Sequence, residues 1–363
     1  MSGINKNRIA TPEFWRFVFI MAIALLHFEE DLYHRVHVIA EGGYLGVEFF
    51  FILSGFVLAM QYKASSGNYN PKANILRRIK SIYPDYIIGI ILMIILWTCT
   101  EASGVLDVVK HIYHNRLQFF FVWPFLKYGG LEMRSLWFIT YWMALYCAIS
   151  LIIRYLNRGG RIATTVLSVL TFAYYAAHHG CLYSDPDVSL FVEPRLLRST
   201  ATMFIGIGLY DIYEQVQRIQ LSKLGYVLLS ISEVLIICDC AYIMLFKSRG
   251  LADFIVVMCM CMIILFSFAR KTWLSQLLDN NVSRFLGRLS MPIFVYHLIV
   301  IYGIQHYLSP YLHGRILLYS VFIVLMILFS WGMGELTRRY IKPGLEKFVA
   351  SLYKHEWSMV AEI

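Results

Sequence analysis

The sequence predicts an all-α membrane protein, a polytopic bundle of about ten transmembrane helices with both termini in the cytoplasm. Hydrophobic residues make up 59% of the 363 residues and charged residues only 15%. Soluble domains average about 45–50% and about 25%, respectively. Apolar runs long enough to cross a bilayer recur along the whole chain, for example at 251–269. The basic residues are also divided unevenly between the loops that separate these runs.

Hydropathy divides the chain into ten apolar spans joined by loops on alternate sides of the membrane. With both termini in the cytoplasm, 21 Lys and Arg residues fall to inner segments and 10 to outer ones, and Arg16 inside the first span completes the 32. Cytoplasmic loops are enriched in Lys and Arg, so this bias supports the orientation. The predicted spans are 11–28, 43–62, 82–100, 135–153, 162–179, 196–213, 224–246, 251–269, 290–308 and 316–337.

We expect one membrane domain over residues 1–345 and a short cytoplasmic tail over 346–363. Lys6 and Arg8 precede the first span, and no small-residue cleavage site follows it, so we expect a retained helix and not a removed signal. The net charge of +9 then reflects loop orientation, and we expect no nucleic-acid partner.

Two connections are expected to be more than short turns. The first is the inner loop 63–81, after which Pro84 would lie in the first turn of the third helix, where proline is tolerated. The second is the outer segment 101–134, which we expect to be interfacial or re-entrant.

Arg16 and His27 lie in the first span, eleven residues apart. At about 100° per residue this spacing is close to three full turns, so both side chains point from one helix face, roughly 16 Å apart along the axis. Ionisable groups in a membrane helix are expensive and usually face a protein interior or a wet cavity. The alternative is that Arg16 reaches toward the interface and His27 is an ordinary core histidine.

Glu48 lies near the outer end of the second span, where its depth should match that of His27. Sequential helices usually pack together, and a carboxylate beside an imidazole fixes its tautomer and raises its basicity. One interpretation is therefore that Glu48 prepares His27 as a general base. The other is that Glu48 only neutralises a buried charge.

A basic cluster of Arg77, Arg78 and Lys80 lies at the predicted cytoplasmic mouth. Guanidinium groups bind phosphates in a bidentate manner, so the cluster could bind a polyanionic cofactor; a topogenic or lipid-headgroup patch is the alternative. His297 in the ninth span could line the same cavity as His27, or it could be a core histidine bonded to its neighbours.

Other polar residues carry weaker signals. Ser54 precedes a glycine, a pairing more typical of close helix packing than of a nucleophile. The seven cysteines are expected to be packing residues, and no metal is expected although two histidine pairs have i, i+3 spacing. We assign no role to Glu233, Asp239 or Glu335. The paired histidines are His34 with His37 and His111 with His114.

Five motifs follow one another along the chain. They are Arg16 with His27, GYLGVEFFFILSGF at 43–56, RRIKSIYPDY at 77–86, SLWFIT at 135–140, and FLGRLS at 285–290 with YHL at 296–298. In this order and at this spacing they resemble acyltransferase family 3, the bacterial integral-membrane O-acyltransferases that modify cell-surface sugars. The similarity covers roughly residues 8–340.

The resemblance implies that an acyl group, usually acetyl, passes from cytoplasmic acyl-CoA to a hydroxyl of a cell-surface glycan or its lipid-linked precursor. It places the chain in the bacterial inner membrane among membrane lipids, with acetyl-CoA as donor substrate. It makes Arg16 and His27 the functional pair and associates Arg77 and Arg78 with the donor. The sequence leaves open whether the chain forms a homo-oligomer.

Two positions depart from the family pattern. Ser81, beside Lys80, stands where members commonly have a further arginine, and Trp142 stands near a position where many members have Glu. If the chemistry needs an acid, Glu48 or the Glu29–Glu30 pair must supply it.

We expect Arg16 to steer the CoA arm and His27 to take the proton of the attacking hydroxyl, although a covalent acyl-histidine step is an open alternative. A transporter or flippase for a lipid-linked sugar or anion is the competing function, but no internal symmetry supports it. A non-catalytic polysaccharide assembly subunit is a third option, which the retention of Arg16 and His27 opposes.

Overall fold

The computed structural model describes residues 9–33, 41–121, 134–183 and 193–344, and within these ranges all regular secondary structure is helical. The predicted tail at 346–363 lies outside the described residues. The twelve α-helices are α1 (Thr11–Tyr33), α2 (Gly46–Ala64), α3 (Pro71–Thr100), α4 (Val105–Asn115), α5 (Trp137–Ile152), α6 (Arg158–His179), α7 (Pro194–Arg218), α8 (Lys223–Phe246), α9 (Ala252–Ala269), α10 (Trp273–Leu277), α11 (Asn281–Gly303) and α12 (Arg315–Leu336).

Each of the ten predicted spans coincides with one of the long helices, which confirms the all-α class. Among the described residues, eight helices are long and apolar enough to cross a membrane by length and composition. The other two long helices, α6 and α7, carry more charge and hydroxyl groups. The number of spans that cross the bilayer and the side on which each terminus lies stay predictions.

Several helices extend beyond their apolar spans because polar residues cap them. The Asn70 side chain accepts a hydrogen bond of 3.0 Å from the Ala73 amide, and Pro71 occupies the first helical turn. The prediction of an inner loop at 63–81 was therefore wrong for its second half, because α3 already begins at Pro71. Pro84 consequently lies in the interior of α3 and not in a first turn.

The segment after α3 folds into the short helix α4 and a 3-10 turn at Arg116–Phe120. Before α4, the Ser103 amide and hydroxyl donate to Asp107, which lowers the pKa of that exposed carboxyl. Val105, Leu106 and Val109 leave more than half of their surface exposed, as an interfacial helix would. Residues 122–133 of the expected interfacial segment lie outside the described residues.

The helix α1 packs against neighbouring helices with two opposite faces. On one side Phe28 stacks on Phe322 of α12, with ring centres 4.3 Å apart. On the other side Phe19 stacks on Phe49 of α2, with ring centres 4.4 Å apart. Every residue of α1 is buried or half-buried, so its polar side chains lie beside other helices.

Glycines set the closest helix contacts. A Cβ at Gly55 of α2 would lie 2.0 Å from the Met203 carbonyl oxygen of α7, and a Cβ at Gly206 would lie 2.0 Å from the Ile52 carbonyl oxygen. The two backbones therefore touch through reciprocal glycines, as in close-packed membrane helices. At Gly287 of α11 a Cβ would collide with the Glu13 side chain of α1.

Replacing Gly206 with Ala should destabilise the protein by about 1–3 kcal/mol, because the added methyl group has no space between α2 and α7. The measurement is thermal unfolding of the purified protein in detergent. Gly332→Ala is the matched control, since nothing lies within 4 Å of a Cβ there, and it should be neutral or stabilising by about 0.4–1 kcal/mol. Equal stabilities for the two variants would contradict this packing.

Candidate active site

Arg16 and His27 lie on the uninterrupted helix α1, as the sequence predicts. The eleven-residue spacing on a continuous helix keeps both side chains on one face, roughly 16 Å apart along the axis. Both are partly buried, with exposed side-chain fractions of 26% for Arg16 and 16% for His27. The pair thus spans a large part of the bundle's depth along one side of α1.

The His27 ring is oriented by a carboxylate on its own helix. Its Nδ1 lies 3.2 Å from Glu30 Oε2, one turn further along α1. A carboxylate accepts hydrogen bonds, so Nδ1 carries the proton in this contact and Nε2 of the neutral ring keeps its lone pair. This is the orientation that a general base requires.

A second imidazole faces the first. The ring of His297 on α11 stacks on that of His27, with ring centres 5.4 Å apart and planes 22° apart. His297 is fully buried, and its Nδ1 lies 3.0 Å from the Ile293 carbonyl oxygen, to which it donates. The structure therefore brings together two of the residues that the sequence selected, from helices far apart in the chain.

Arg16 is held at the other end of the pair. Its Nη1 lies 2.7 Å from Glu13 Oε2, and Glu13 packs against Gly287 of α11. The same two helices thus contact each other beside Arg16 and beside His27. A guanidinium has five N–H donors, so this contact uses only part of its capacity.

Glu48 does not pair with His27 as one interpretation expected. Its Oε1 lies 2.8 Å from Arg198 Nε of α7, and its Oε2 accepts a 2.5 Å hydrogen bond from the Thr202 hydroxyl. The exposed side-chain fractions are 1% for Glu48 and 5% for Arg198. Glu48 thus neutralises a buried arginine, which was the second interpretation of this residue. Within the described residues no contact joins Glu48 to His27 to support the predicted catalytic role.

The basic cluster at the start of α3 divides between two environments. Arg78 turns into the bundle, where its Nε lies 3.3 Å from the Tyr146 hydroxyl and its guanidinium carbon lies 5.3 Å from that ring's centre. Arg77 and Lys80, three residues apart on one helix face, are exposed. The cluster therefore offers two exposed cations and one cation that an aromatic ring orients.

Trp142, which departs from the family pattern, links α5 to α2. Its indole nitrogen donates a 2.6 Å hydrogen bond to the Ser54 hydroxyl, which itself donates to the Phe50 carbonyl at 2.6 Å. The same indole stacks on Tyr146, the partner of Arg78. The Ser54 hydroxyl thus takes part in two hydrogen bonds that connect helices or cap its own turn, which agrees with a structural role and not with a nucleophile.

The other histidines and the cysteines hold structural positions. His111 stacks on Trp97 with ring centres 3.8 Å apart, and His114 Nδ1 contacts the Lys110 carbonyl. All seven cysteines are free. In the part of the chain that the structure describes, no three His, Cys, Asp or Glu side chains come together as a metal would require. His34 and His37 lie outside that part.

Two of these interacting residues, Glu30 and Arg198, were not selected from the sequence as site residues. Glu30 was named only as one of several acids that could serve the reaction. Its i+3 spacing from His27 indicates that the two side chains lie next to each other on a helix. Arg198 is one of the 10 Lys and Arg residues assigned above to outer segments, although it lies inside the predicted span 196–213 and inside α7. A cation inside a predicted span requires a buried partner, and that rule would have identified it.

Comparison with known proteins agrees with this arrangement. A bundle of long apolar helices with ionisable side chains buried between them defines a polytopic membrane protein. A family model described as an acyltransferase domain matches residues 9–335, and the chain therefore belongs to acyltransferase family 3, which confirms the resemblance read from its motifs.

Curated relatives of the chain come from Staphylococcus aureus. Proteins of strains COL, MSSA476 and MRSA252, each named "Putative O-acetyltransferase", are 22% identical to the chain over 348 residues, which covers 87% of the chain and 55% of each relative. The chain thus spans about half the length of these relatives. No solved structure matches the chain.

Removing one partner of the Glu48–Arg198 pair should leave an uncompensated buried charge. Arg198→Met should therefore lower the free energy of unfolding by about 3–5 kcal/mol, and adding Glu48→Leu should recover much of this loss. Thermal unfolding in detergent measures both. Arg195→Met, a more exposed arginine on the same helix, should change stability by less than about 1 kcal/mol. A single variant as stable as the parent protein would show that the pair is not desolvated.

Proposed function

We propose that this protein is an O-acetyltransferase of the bacterial inner membrane, which moves an acetyl group from cytoplasmic acetyl-CoA to a hydroxyl of a cell-surface glycan or its lipid-linked precursor. The observation that carries the proposal is the geometry of His27. Its Nδ1 is held by Glu30 at 3.2 Å, so Nε2 is the basic atom, and Arg16 lies on the same face of α1. Membership of acyltransferase family 3 and the names of the relatives support the class of reaction.

The transfer requires one base and one acid, and His27 supplies both. Nε2 removes the proton of the acceptor hydroxyl as its oxygen attacks the thioester carbonyl carbon, and the C–O bond forms while the C–S bond breaks. The thiolate of CoA then takes the proton from the imidazolium. Glu30 stabilises the imidazolium, because the carboxylate lies beside the ring that becomes charged. A covalent acyl-histidine step would use the same nitrogen.

The second imidazole limits how much charge the site can hold. Two imidazolium ions stacked 5.4 Å apart would repel each other in a poorly solvated interior. In the proposed step only His27 therefore takes the proton of the acceptor hydroxyl. The Nδ1 of His297 donates to a backbone carbonyl, which fixes the orientation of its ring beside His27.

The donor is expected to enter from the end of the bundle where the basic residues gather. Arg77 and Lys80 are exposed there, and Arg78 is oriented by Tyr146, so the cluster suits the phosphates of CoA. Arg16 lies on α1 between this end and His27 along the direction of the helix. It would hold the pantetheine arm so that the thioester reaches the imidazole.

Three further contacts between a cation and a carboxylate lie in segments that the sequence assigns to the same end. Asp279 lies 2.8 Å from Arg270 Nη2 and 3.7 Å from Arg284 Nη2, in the segment between α9 and α11 that is expected to be inner. Lys342 Nζ lies 3.4 Å from Asp85, which follows the Tyr83–Pro84 pair of α3. These basic residues follow α9 and α12 on the side that the sequence assigns to the cytoplasm, which supports donor entry from this end.

His27→Ala should reduce acetyl transfer by about 10²–10⁴-fold, because general acid–base catalysis is lost. The measurement is thiol release from labelled acetyl-CoA by purified protein in detergent. His114→Ala is the control, since that histidine is exposed and contacts the Lys110 carbonyl and the Tyr113 ring of its own helix. Thiol release by His27→Ala at the parent rate, or movement of a sugar without thiol release, would contradict the proposal.

Glu30→Gln tests the positioning role of the carboxylate. The amide keeps the size of the side chain but cannot stabilise the imidazolium by charge, so kcat should fall by at least about 10-fold. The KM for acetyl-CoA should stay unchanged, because Glu30 does not contact the donor in this scheme. A rise in KM with an unchanged kcat would place Glu30 in donor binding and remove it from proton transfer.

A further inference from the structure

A groove of about 490 Å³ opens between the first turns of α6 and the last turns of α7, beside the end of α2. It lies at the end of the bundle that the sequence places in the cytoplasm, away from the His27–His297 pair. The helices that form it, α6 and α7, are the two long helices that are not apolar enough to count as membrane spans by composition. Their polar and charged side chains line this groove.

The charges in the groove are mixed and only partly paired. Arg161 Nε lies 2.8 Å from Asp211 Oδ2, and its Nη1 donates to the Leu156 carbonyl at 3.0 Å. Lys63 Nζ lies 3.7 Å from Glu214, beyond hydrogen-bond distance. Arg158 is exposed and has no ion pair within the described ranges. The groove thus offers two loosely engaged cations and one loosely engaged carboxylate above a tight Arg161–Asp211 pair.

The same groove has an apolar wall. Ile162 and Val166 of α6 and Ile212 of α7 line it, and each leaves about half of its surface exposed, at 55%, 52% and 53%. Exposed apolar side chains continue along α6 at Val169 and Leu170. A polar pocket at the predicted inner interface therefore continues into an apolar strip that runs toward the bilayer centre.

This combination matches a phospholipid better than a soluble anion. Basic pockets between helices on the cytoplasmic side of membrane proteins bind lipid headgroups, and an acyl chain would cover the apolar strip. A nucleotide would leave that strip exposed, and its several phosphates would meet the carboxylates of Asp211 and Glu214. A headgroup that carries both a phosphate and an ammonium complements both signs of charge.

We propose that this groove binds a phospholipid with a phosphoethanolamine headgroup. The phosphate contacts Arg158 and Lys63, the ammonium contacts Glu214, and one acyl chain lies along Ile162 and Val166. The inference concerns a site separate from the acyl-transfer machinery and does not rest on the proposed reaction.

The test is native mass spectrometry of the delipidated full chain in detergent, titrated with phosphatidylethanolamine. One lipid should bind saturably, and Arg158→Gln and Glu214→Gln should each weaken binding by about fivefold, the loss expected for one interfacial charge contact. Arg218→Gln is the matched control, because this exposed arginine lies on the same helix α7 but does not line the groove. Its affinity should equal that of the parent protein. Unchanged binding in both groove variants would overturn the site.

Two further titrations separate the sources of the bound phosphate. Phosphatidylglycerol with the same acyl chains should bind the parent protein more weakly and should not lose affinity in Glu214→Gln, because it has no ammonium group. Inorganic phosphate and CoA in excess should leave phosphatidylethanolamine bound. Equal affinity for the two lipids would overturn the ammonium contact, and displacement by CoA would assign the groove to the donor and overturn the lipid assignment.

Discussion

The need to partner every ionisable side chain inside the bundle is the constraint on which this structure depends. A charge that faces hydrocarbon is expensive, so the charged residues of the apolar helices must find partners on the same helix or on a neighbour. The structure shows both solutions. Arg16 pairs with Glu13 on the preceding turn of α1, and His27 pairs with Glu30 on the next turn. Glu48 of α2 instead pairs with Arg198 of α7.

The two kinds of pair have different consequences. A pair within one helix orients a side chain that remains partly accessible, and a pair between helices fixes the packing of the two helices.

Close helix contacts make this arrangement specific. Gly55 and Gly206 bring α2 and α7 into backbone contact and so hold Glu48 and Arg198 at ion-pair distance. Gly287 brings α11 against α1 at Glu13, and the same pair of helices then stacks His297 on His27. The proposed chemistry therefore depends on small residues that have no chemical role of their own. The His27 imidazole, with one face against a second imidazole and one nitrogen on a carboxylate, suits the proposed proton transfer, whereas the buried Glu48–Arg198 pair holds two helices together.

Hydropathy and motif spacing predicted the helical class, the positions of the ten long helices and the joint placement of Arg16 and His27, because these depend on local periodicity. They did not predict the partner of Glu48, because pairing between helices depends on which faces meet in the folded bundle. The predicted start of α3 was too late in the sequence, because hydropathy does not detect the polar helical turns at 71–81. Asn70 followed by Pro71 is a helix-capping signal that indicates the observed start. The approach of His297 to His27 was only one of two interpretations, because 270 residues separate them in the chain and no sequence pattern fixes a contact over that distance.

The proposed reaction requires the acyl donor to lie along the face of α1 that carries both Arg16 and His27. A cryo-electron microscopy map of the full chain in lipid nanodiscs, with a non-hydrolysable acetyl-CoA analogue bound, tests it most directly. We expect density for the pantetheine arm to pass the Arg16 guanidinium and to end with the acyl carbon next to His27 Nε2, with Glu30 still on Nδ1. A map in which either side chain faces lipid, or in which the analogue binds without passing Arg16, would contradict the account.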